Sequence, residues 1–247
     1  MKVYSKDDIV NILHDSKCIS SCSLINPRSN SISFIRGLQY LSVVENIRED
    51  IYLIAPLDVA SEIKNNRIKV LPHADNVDET FVDIHNQINK NSDPKDNIIS
   101  SDARISSTAV IGPDGNKIVE RADGTIVRMK HMGNVVVKSG VSIDALAVIH
   151  RASIDSTIIG EDTTICSHVN IGHNCIIGKK NFIAPGVKVA GSVSIGDGCK
   201  IWQGSMLKNG IKICDNVTIG MGSIVTRDIS EPGTYFGSPC RLRSRYE

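Results

Sequence analysis

The sequence predicts a mainly β protein, a parallel β-helix of hexapeptide repeats behind a small N-terminal α/β domain. Three observations carry this. An aliphatic residue recurs at every sixth position without a slip: Ile159, Ile165, Ile171, Ile177, Ile183, Val189, Ile195, Ile201, Leu207, Ile213, Ile219 and Val225. The chain holds 36 Ile and 22 Val against 10 Leu, with aromatics at 4%, a bias that suits strands. Of its 19 Gly, only Gly37 precedes residue 112, so the composition changes part-way along the chain.

Residues 1–97 read as the α/β domain. Ser5 and Asp8 have capping-box spacing, and Ile9, Ile12 and Leu13 form a helical stripe behind them. Ile32–Ile35, Ile51–Ala55 and Ile68–Leu71 are short strand candidates. Phe81, Ile84, His85 and Ile88 follow the i, i+3, i+4, i+7 rule of a closing helix. Asn91-Ser92-Asp93-Pro94-Lys95-Asp96-Asn97 has linker chemistry. His14, His73 and His85 show no partners here and are expected to be surface or helix residues.

Residues 98–230 read as the repeat domain and 231–247 as a C-terminal tail. Gly follows the aliphatic position five times, at Gly160, Gly172, Gly178, Gly196 and Gly220. Turn formers such as Pro185-Gly186, Asp197-Gly198 and Asn209-Gly210 fill the next positions. A hexapeptide period of this kind means short strands and tight corners, with coils about 4.8 Å apart. The pattern resembles the hexapeptide-repeat family, which implies a left-handed parallel β-helix of triangular section, 18 residues to the coil. The step from Ile149 to Ile159 is six plus four, so a short insertion bulges near His150-Arg151-Ala152. The rhythm is lost between Gly112 and Val135, where Lys117–Arg121 and Thr125–Arg128 flank Ala122-Asp123-Gly124. That reads as a protruding hairpin loop, residues 113–134, either functional or an arm that packs a trimer.

Chemistry must come from the corners. His173 occupies one, directly after Ile171-Gly172, and 18-residue steps put Asp155 below it and Gly191 above. An imidazole between a carboxylate and a glycine N–H is a general-base arrangement: the carboxylate fixes the tautomer and the N–H holds an oxyanion. His131, in the hairpin loop, and His150, in the bulge, are further lining candidates. His168 and His173 stand five apart, as two zinc-binding His do in β-helix carbonic anhydrases, but His168 lies on the preceding corner. No metal is expected.

Val135–Pro239 is similar to the UDP-3-O-acylglucosamine N-acyltransferase family of lipid A synthesis. The matching segments are Ile149-His150-Arg151, Asp155–Gly160, Ile171-Gly172-His173-Asn174, Ala190-Gly191-Ser192, Ile213-Cys214-Asp215 and Ile229–Tyr235. The resemblance implies that His173 is the catalytic base and Gly191 the oxyanion glycine; Asn174 and His150, within the matching segments, are substrate-binding candidates. It also implies that residues 1–97 bind a uridine-type nucleotide, with Phe34 and Tyr40 holding the base, and that the enzyme is a homotrimer. There are departures. The family's second His falls at Gly210 and its acid at Cys166, coils are missing before the hairpin loop, and the C-terminal helices linked to acyl carrier protein are absent. Gly237-Ser238-Pro239-Cys240-Arg241 instead resembles the ending of acetyl-CoA-dependent hexapeptide enzymes, which makes Arg241 and Arg243 candidates for the CoA phosphates.

The expected activity is therefore transfer of an acetyl group from acetyl-CoA to the amino group of a UDP- or dTDP-linked sugar, for a bacterial surface polysaccharide such as O-antigen or lipopolysaccharide. One rival is the lipid A enzyme itself, with an acyl-carrier-protein donor. The other is a non-catalytic β-helix scaffold. A net charge of +1, from 28 basic and 27 acidic residues, argues against nucleic acid as a partner. No stretch resembles a membrane span or signal peptide, and seven Cys without a CxxC pair suit free thiols in a cytoplasmic protein.

Overall fold

In the computed structural model, which describes residues 2–15 and 20–244, the aliphatic ladder is the core. All twelve in-phase residues from Ile159 to Val225 are at most 3% exposed. Burying each such side chain is worth roughly 1.5–3 kcal/mol. Each sits in a strand of two to four residues, and the strands stack into three parallel sheets. The first runs from Ile98–Ile99 through Asn134–Val137, Ser156–Ile159, Ile176–Ile177 and Ser194–Ile195 to Lys212–Ile213. The second begins at Arg104–Ile105 and includes Thr164–Ile165 and Phe182–Ile183. The third begins at Val110–Ile111 and includes Val148–Ile149, Asn170–Ile171 and Lys188–Val189.

Backbone N–H groups donate to the next coil, as Gly160 N does to Ile177 O and Gly178 N to Ile195 O, both at 2.8 Å. The corners take left-handed backbone. At the edge joining the third sheet to the first, Asn174, Ser192 and Gly210 have φ of 59°, 60° and 76°. Asn suits this conformation because its short polar side chain bonds locally.

The irregularities share that edge. Ile159 pairs with Ile177, 18 residues on, whereas Ile149 pairs with Ile171, 22 on. The four extra residues therefore leave the helix between Ile149 and Ile159. The long excursion leaves the same edge one coil earlier, between Val110–Ile111 and Asn134–Val137. Residues 231–247, expected as a tail, include a hairpin. Gly233–Phe236 pairs parallel to Val217–Ile219, and Arg241–Ser244 returns antiparallel to it. Tyr235 and Cys240 pack against the end of the core, which explains why this segment is ordered.

The chain divides into two units, one of residues 94–115 and 131–247, the other of residues 1–93 and 116–130. The second has four parallel strands in chain order, Ser20–Ser21, Ser31–Phe34, Ile51–Pro56 and Ile68–His73. Ser5 and Asp8 do form a capping box, with Ser5 N to Asp8 Oδ2 at 3.0 Å and Asp8 N to Ser5 Oγ at 3.2 Å. The excursion, assigned by sequence to the repeat domain, packs with this unit as a hairpin of Ile118–Glu120 and Ile126–Arg128. So short a hairpin cannot bury its own faces. It lies on helix Val77–Ile88, where Arg121 Nη2 meets both oxygens of Asp83 at 2.7 and 2.9 Å and Asn86 Nδ2 donates to Arg128 O at 2.8 Å. Six cysteines are free thiols, and Cys18 lies outside the described residues.

His85 is a helix residue as expected, whereas His73 ends the strand Ile68–His73, and both are at most 2% exposed. His85 Nε2 donates to Lys130 O at 2.8 Å, and in the neutral ring its Nδ1 accepts from Ser21 Oγ at 2.6 Å. The ring pins the end of the hairpin. Burial pushes its pKa down to about 4. A folded value below the ordinary 6.5 stabilises fully above pH 6.5, and the stabilisation is lost as pH falls toward 4. The amides of helix Val77–Ile88 should therefore exchange faster with solvent at pH 4.5 than intrinsic exchange predicts, by an opening free energy lower by up to roughly 3 kcal/mol. His85→Gln should flatten that dependence. A wild-type opening energy that does not change between pH 7 and 4.5 contradicts the assignment.

Candidate functional site

The third-to-first edge of the β-helix gathers the candidate residues of the repeat domain. His173 follows Ile171 at this edge, and the register Ile171–Val189 puts Gly191 on the next coil level with it. The ring lies against Gly191: a Cβ there would stand 2.6 Å from both Cε1 and Nε2. Only glycine admits the imidazole. Gly115, where the excursion departs, is constrained alike, since its Cβ would lie 2.8 Å from His131 Nε2 and 2.9 Å from His173 Cβ. His131 stands where the excursion returns. It is 1% exposed, its ring edge-on to His173 with centroids 5.4 Å apart.

Asn174 settles which nitrogen of His173 is basic. Its Oδ1 accepts from Ser153 N at 3.0 Å and from Ser153 Oγ at 3.0 Å. A backbone N–H can only donate, so that atom is the amide oxygen. The same oxygen lies 2.9 Å from His173 Nδ1. Nδ1 must therefore carry the proton, and in the neutral ring Nε2 holds the lone pair. Asn174 is itself fixed by donation from its backbone N to Thr157 Oγ1 at 2.9 Å.

Gly191 is buried, and among the described residues its N–H donates to no acceptor, while its carbonyl accepts from Gly210 N at 3.0 Å. Buried backbone donors without a partner are rare. A Cβ on Gly172 would come within 2.6 Å of this nitrogen, so the two glycines keep one N–H and one imidazole at close quarters.

The Asn174 amide at His173 Nδ1 is a partner that the 18-residue step does not announce. Counting back from the Ile158–Ile176 pair leaves Asp155 level with His173, at the end of the bulge. His150 lies at this edge with Nδ1 2.9 Å from Asp114 O and Nε2 3.3 Å from Asn170 Nδ2. His168 sits on a different edge, between the second and third sheets, apart from His173. Among the described residues no group of three or more His, Cys, Asp or Glu is placed to hold a metal. No described helix is long and apolar enough to cross a membrane.

Phe34 ends its strand half-buried, 4.5 Å from Phe81 between ring centroids. Tyr40 is 37% exposed in the short 3-10 helix Leu38–Tyr40. Arg36 joins the two: its guanidinium is 5.4 Å from the Phe34 centroid, and its hydrogen bonds to Asp78, then the nearby Tyr40, raise its pKa against burial. Arg241 lines a hollow of about 250 Å³ with Arg227 and Tyr235. Arg243 stacks on the half-exposed Phe236 at 4.8 Å.

Residues 156–191 and 192–227 match the bacterial transferase hexapeptide model, six repeats each. UDP-3-O-acylglucosamine N-acyltransferase of Methylobacillus flagellatus is 47% identical over 131 residues, 53% of this chain and 37% of that protein. UDP-3-O-acylglucosamine N-acyltransferase 1 of Francisella tularensis is 44% identical over 95 residues, 38% of this chain and 27% of that one. The chain thus spans well under half the length of these curated relatives. The crystal structure of Arabidopsis UDP-N-acetylglucosamine acyltransferase shares the fold, a left-handed parallel β-helix, with a TM-score of 0.54 and 24% identity over 62% of this chain and 51% of that one.

The tautomer of His173 is open to measurement. Imidazole ¹⁵N spectra of the neutral His173 ring should show a protonated Nδ1 and a bare Nε2. Asn174→Ala should shift the ring toward the Nε2–H form. A wild-type ring with the proton on Nε2 contradicts the assignment.

Proposed function

We propose that the chain is a sugar N-acyltransferase that moves an acetyl group from acetyl-CoA to the amino group of a nucleotide-linked sugar, UDP or dTDP. The observation that carries this reading is the His173 ring, proton held on Nδ1 by Asn174 and lone pair on Nε2, lying against a buried glycine whose N–H donates to no acceptor among the described residues. In this reading the amine attacks the thioester carbonyl while His173 Nε2 takes its proton. Gly191 N–H stabilises the oxyanion. The imidazolium then returns the proton to the departing thiolate, giving an amide and free CoA thiol. Ser153 and Asn174 hold the ring, and Asp155 stands level with it at the end of the bulge. Phe34 and Tyr40 hold the nucleotide base, and Arg241 and Arg243 supply cations for the CoA phosphates. The enzyme works as a homotrimer.

A second reading has its own support. The curated relatives are named for transfer to UDP-3-O-acylglucosamine, which favours a longer acyl group as donor substrate. Thiol release from acetyl-CoA, against release from acyl carrier protein thioesters, separates the two across a panel of UDP- and dTDP-linked amino sugars.

His173→Ala should lower kcat by ~10²–10⁴-fold without unfolding the protein. Phe34→Ala and Tyr40→Ala should raise the KM for the sugar nucleotide, each by the ~1–3 kcal/mol of a stacked base, and leave the acetyl-CoA KM unchanged. A His173→Ala variant that keeps more than about a tenth of kcat removes the general-base role. No thiol release from any donor would leave a non-catalytic β-helix.

A further inference from the structure

Lys117 lies on the excursion, and nothing in the proposed chemistry uses it. Its backbone is fixed, because its carbonyl accepts from Met129 N at 2.9 Å across the hairpin. Its side chain is directed at the base-binding ring: Nζ stands 5.7 Å from the Phe34 centroid, and Arg36 Cζ lies 5.4 Å from the same centroid. Two cations therefore converge on one aromatic ring.

Only one of them is neutralised. Arg36 holds Asp78 with Nε at 2.9 and 2.7 Å from the two carboxylate oxygens and Nη2 at 2.5 Å. Lys117 has no carboxylate within ion-pair distance among the described residues. It is mostly buried, and its ammonium is pushed toward the neutral form by burial first and by Arg36 second, with Asp78 opposing. A cation–π contact at this distance is too weak to replace the water such an ammonium gives up. A mostly buried ammonium with no carboxylate of its own, beside an exposed guanidinium already paired, is a place an anion would neutralise.

We propose that Lys117 and Arg36 form an anion receptor beside Phe34, and that its ligand is a phosphate group of the nucleotide whose base Phe34 and Tyr40 hold. The proposal rests on the nucleotide-sugar reading for its ligand and on the ring-and-cation geometry for its site. It also accounts for the excursion, since the hairpin carries one of the two phosphate cations into the N-terminal unit. The chemistry recognised is a phosphate ester, so the site should distinguish a nucleoside diphosphate from the bare nucleoside.

The test is calorimetric titration of the full chain and of Lys117→Met with UDP, uridine and inorganic pyrophosphate, with thermal unfolding of both unliganded proteins. Lys117→Met should weaken UDP by about 10- to 100-fold, the loss of one charge-assisted contact, and leave uridine unchanged. The unliganded variant should melt no lower than the wild type, because it exchanges an uncompensated ammonium for an apolar chain; a lower melting temperature would mark Lys117 as structural and overturn the proposal. Equal UDP affinity in the two proteins overturns it too and leaves the nucleotide reading standing. Pyrophosphate binding that depends on Lys117, with no binding of UDP or uridine, supports the anion receptor and removes the nucleotide. No binding of any of the three to the wild type overturns both.

Discussion

Coil-to-coil hydrogen bonding is the constraint on which the β-helix depends. Each coil donates to the next through links such as Gly160 N to Ile177 O, and the aliphatic ladder stacks in step with them. Inside this lattice there is no room for an extra residue, because one additional position would turn an Ile outward and leave a row of donors unpaired. Insertions must leave at an edge. Both do so at the same edge, the excursion between the first two coils and the four-residue bulge one coil later, and His173 and Gly191 follow on the next two coils. A rigid ladder thus collects its irregular chain along one line, where polar groups and tight backbone approaches are tolerated.

At that line, precision comes from what is missing as much as from what is present. Gly115 and Gly191 let the His173 ring lie against backbone, and Gly172 leaves the Gly191 nitrogen uncovered. Asn174, in left-handed backbone, turns its amide to meet both Ser153 and His173. A single backbone N–H, that of Ser153, determines through one amide oxygen which imidazole nitrogen is basic. The bulge that supplies Ser153 is therefore part of the site and not a tolerated insertion.

Much of the fold was legible because a period is a property of the sequence itself. Twelve aliphatics in phase announced the ladder, and each proved buried. The 18-residue step placed Gly191 correctly beside His173. The same step put Asp155 level with His173, but register locates a residue and not the direction of its side chain. Asn174 was visible only as part of a motif, and its left-handed φ, which aims the amide, has no signature in composition. His131 was noted as a lining candidate, but its burial against His173 depends on where the excursion re-enters the helix. His85 looked ordinary because its partners, Ser21 and Lys130, are 64 and 45 residues away. The hairpin itself was readable from its turn, whereas its packing on helix Val77–Ile88 arises from ion pairs such as Arg121–Asp83 that no local pattern announces.

The most direct test of the central claim, that the His173 edge is where acyl transfer takes place, is a crystal structure with a UDP-linked amino sugar and a non-hydrolysable acetyl-CoA analogue both bound. The account predicts the sugar amine within hydrogen-bond reach of His173 Nε2, about 2.6–3.2 Å, and the analogue's carbonyl oxygen about 2.7–3.1 Å from Gly191 N. An amine held away from this edge, or bound on the Nδ1 side of the ring with Asn174 displaced, would contradict it.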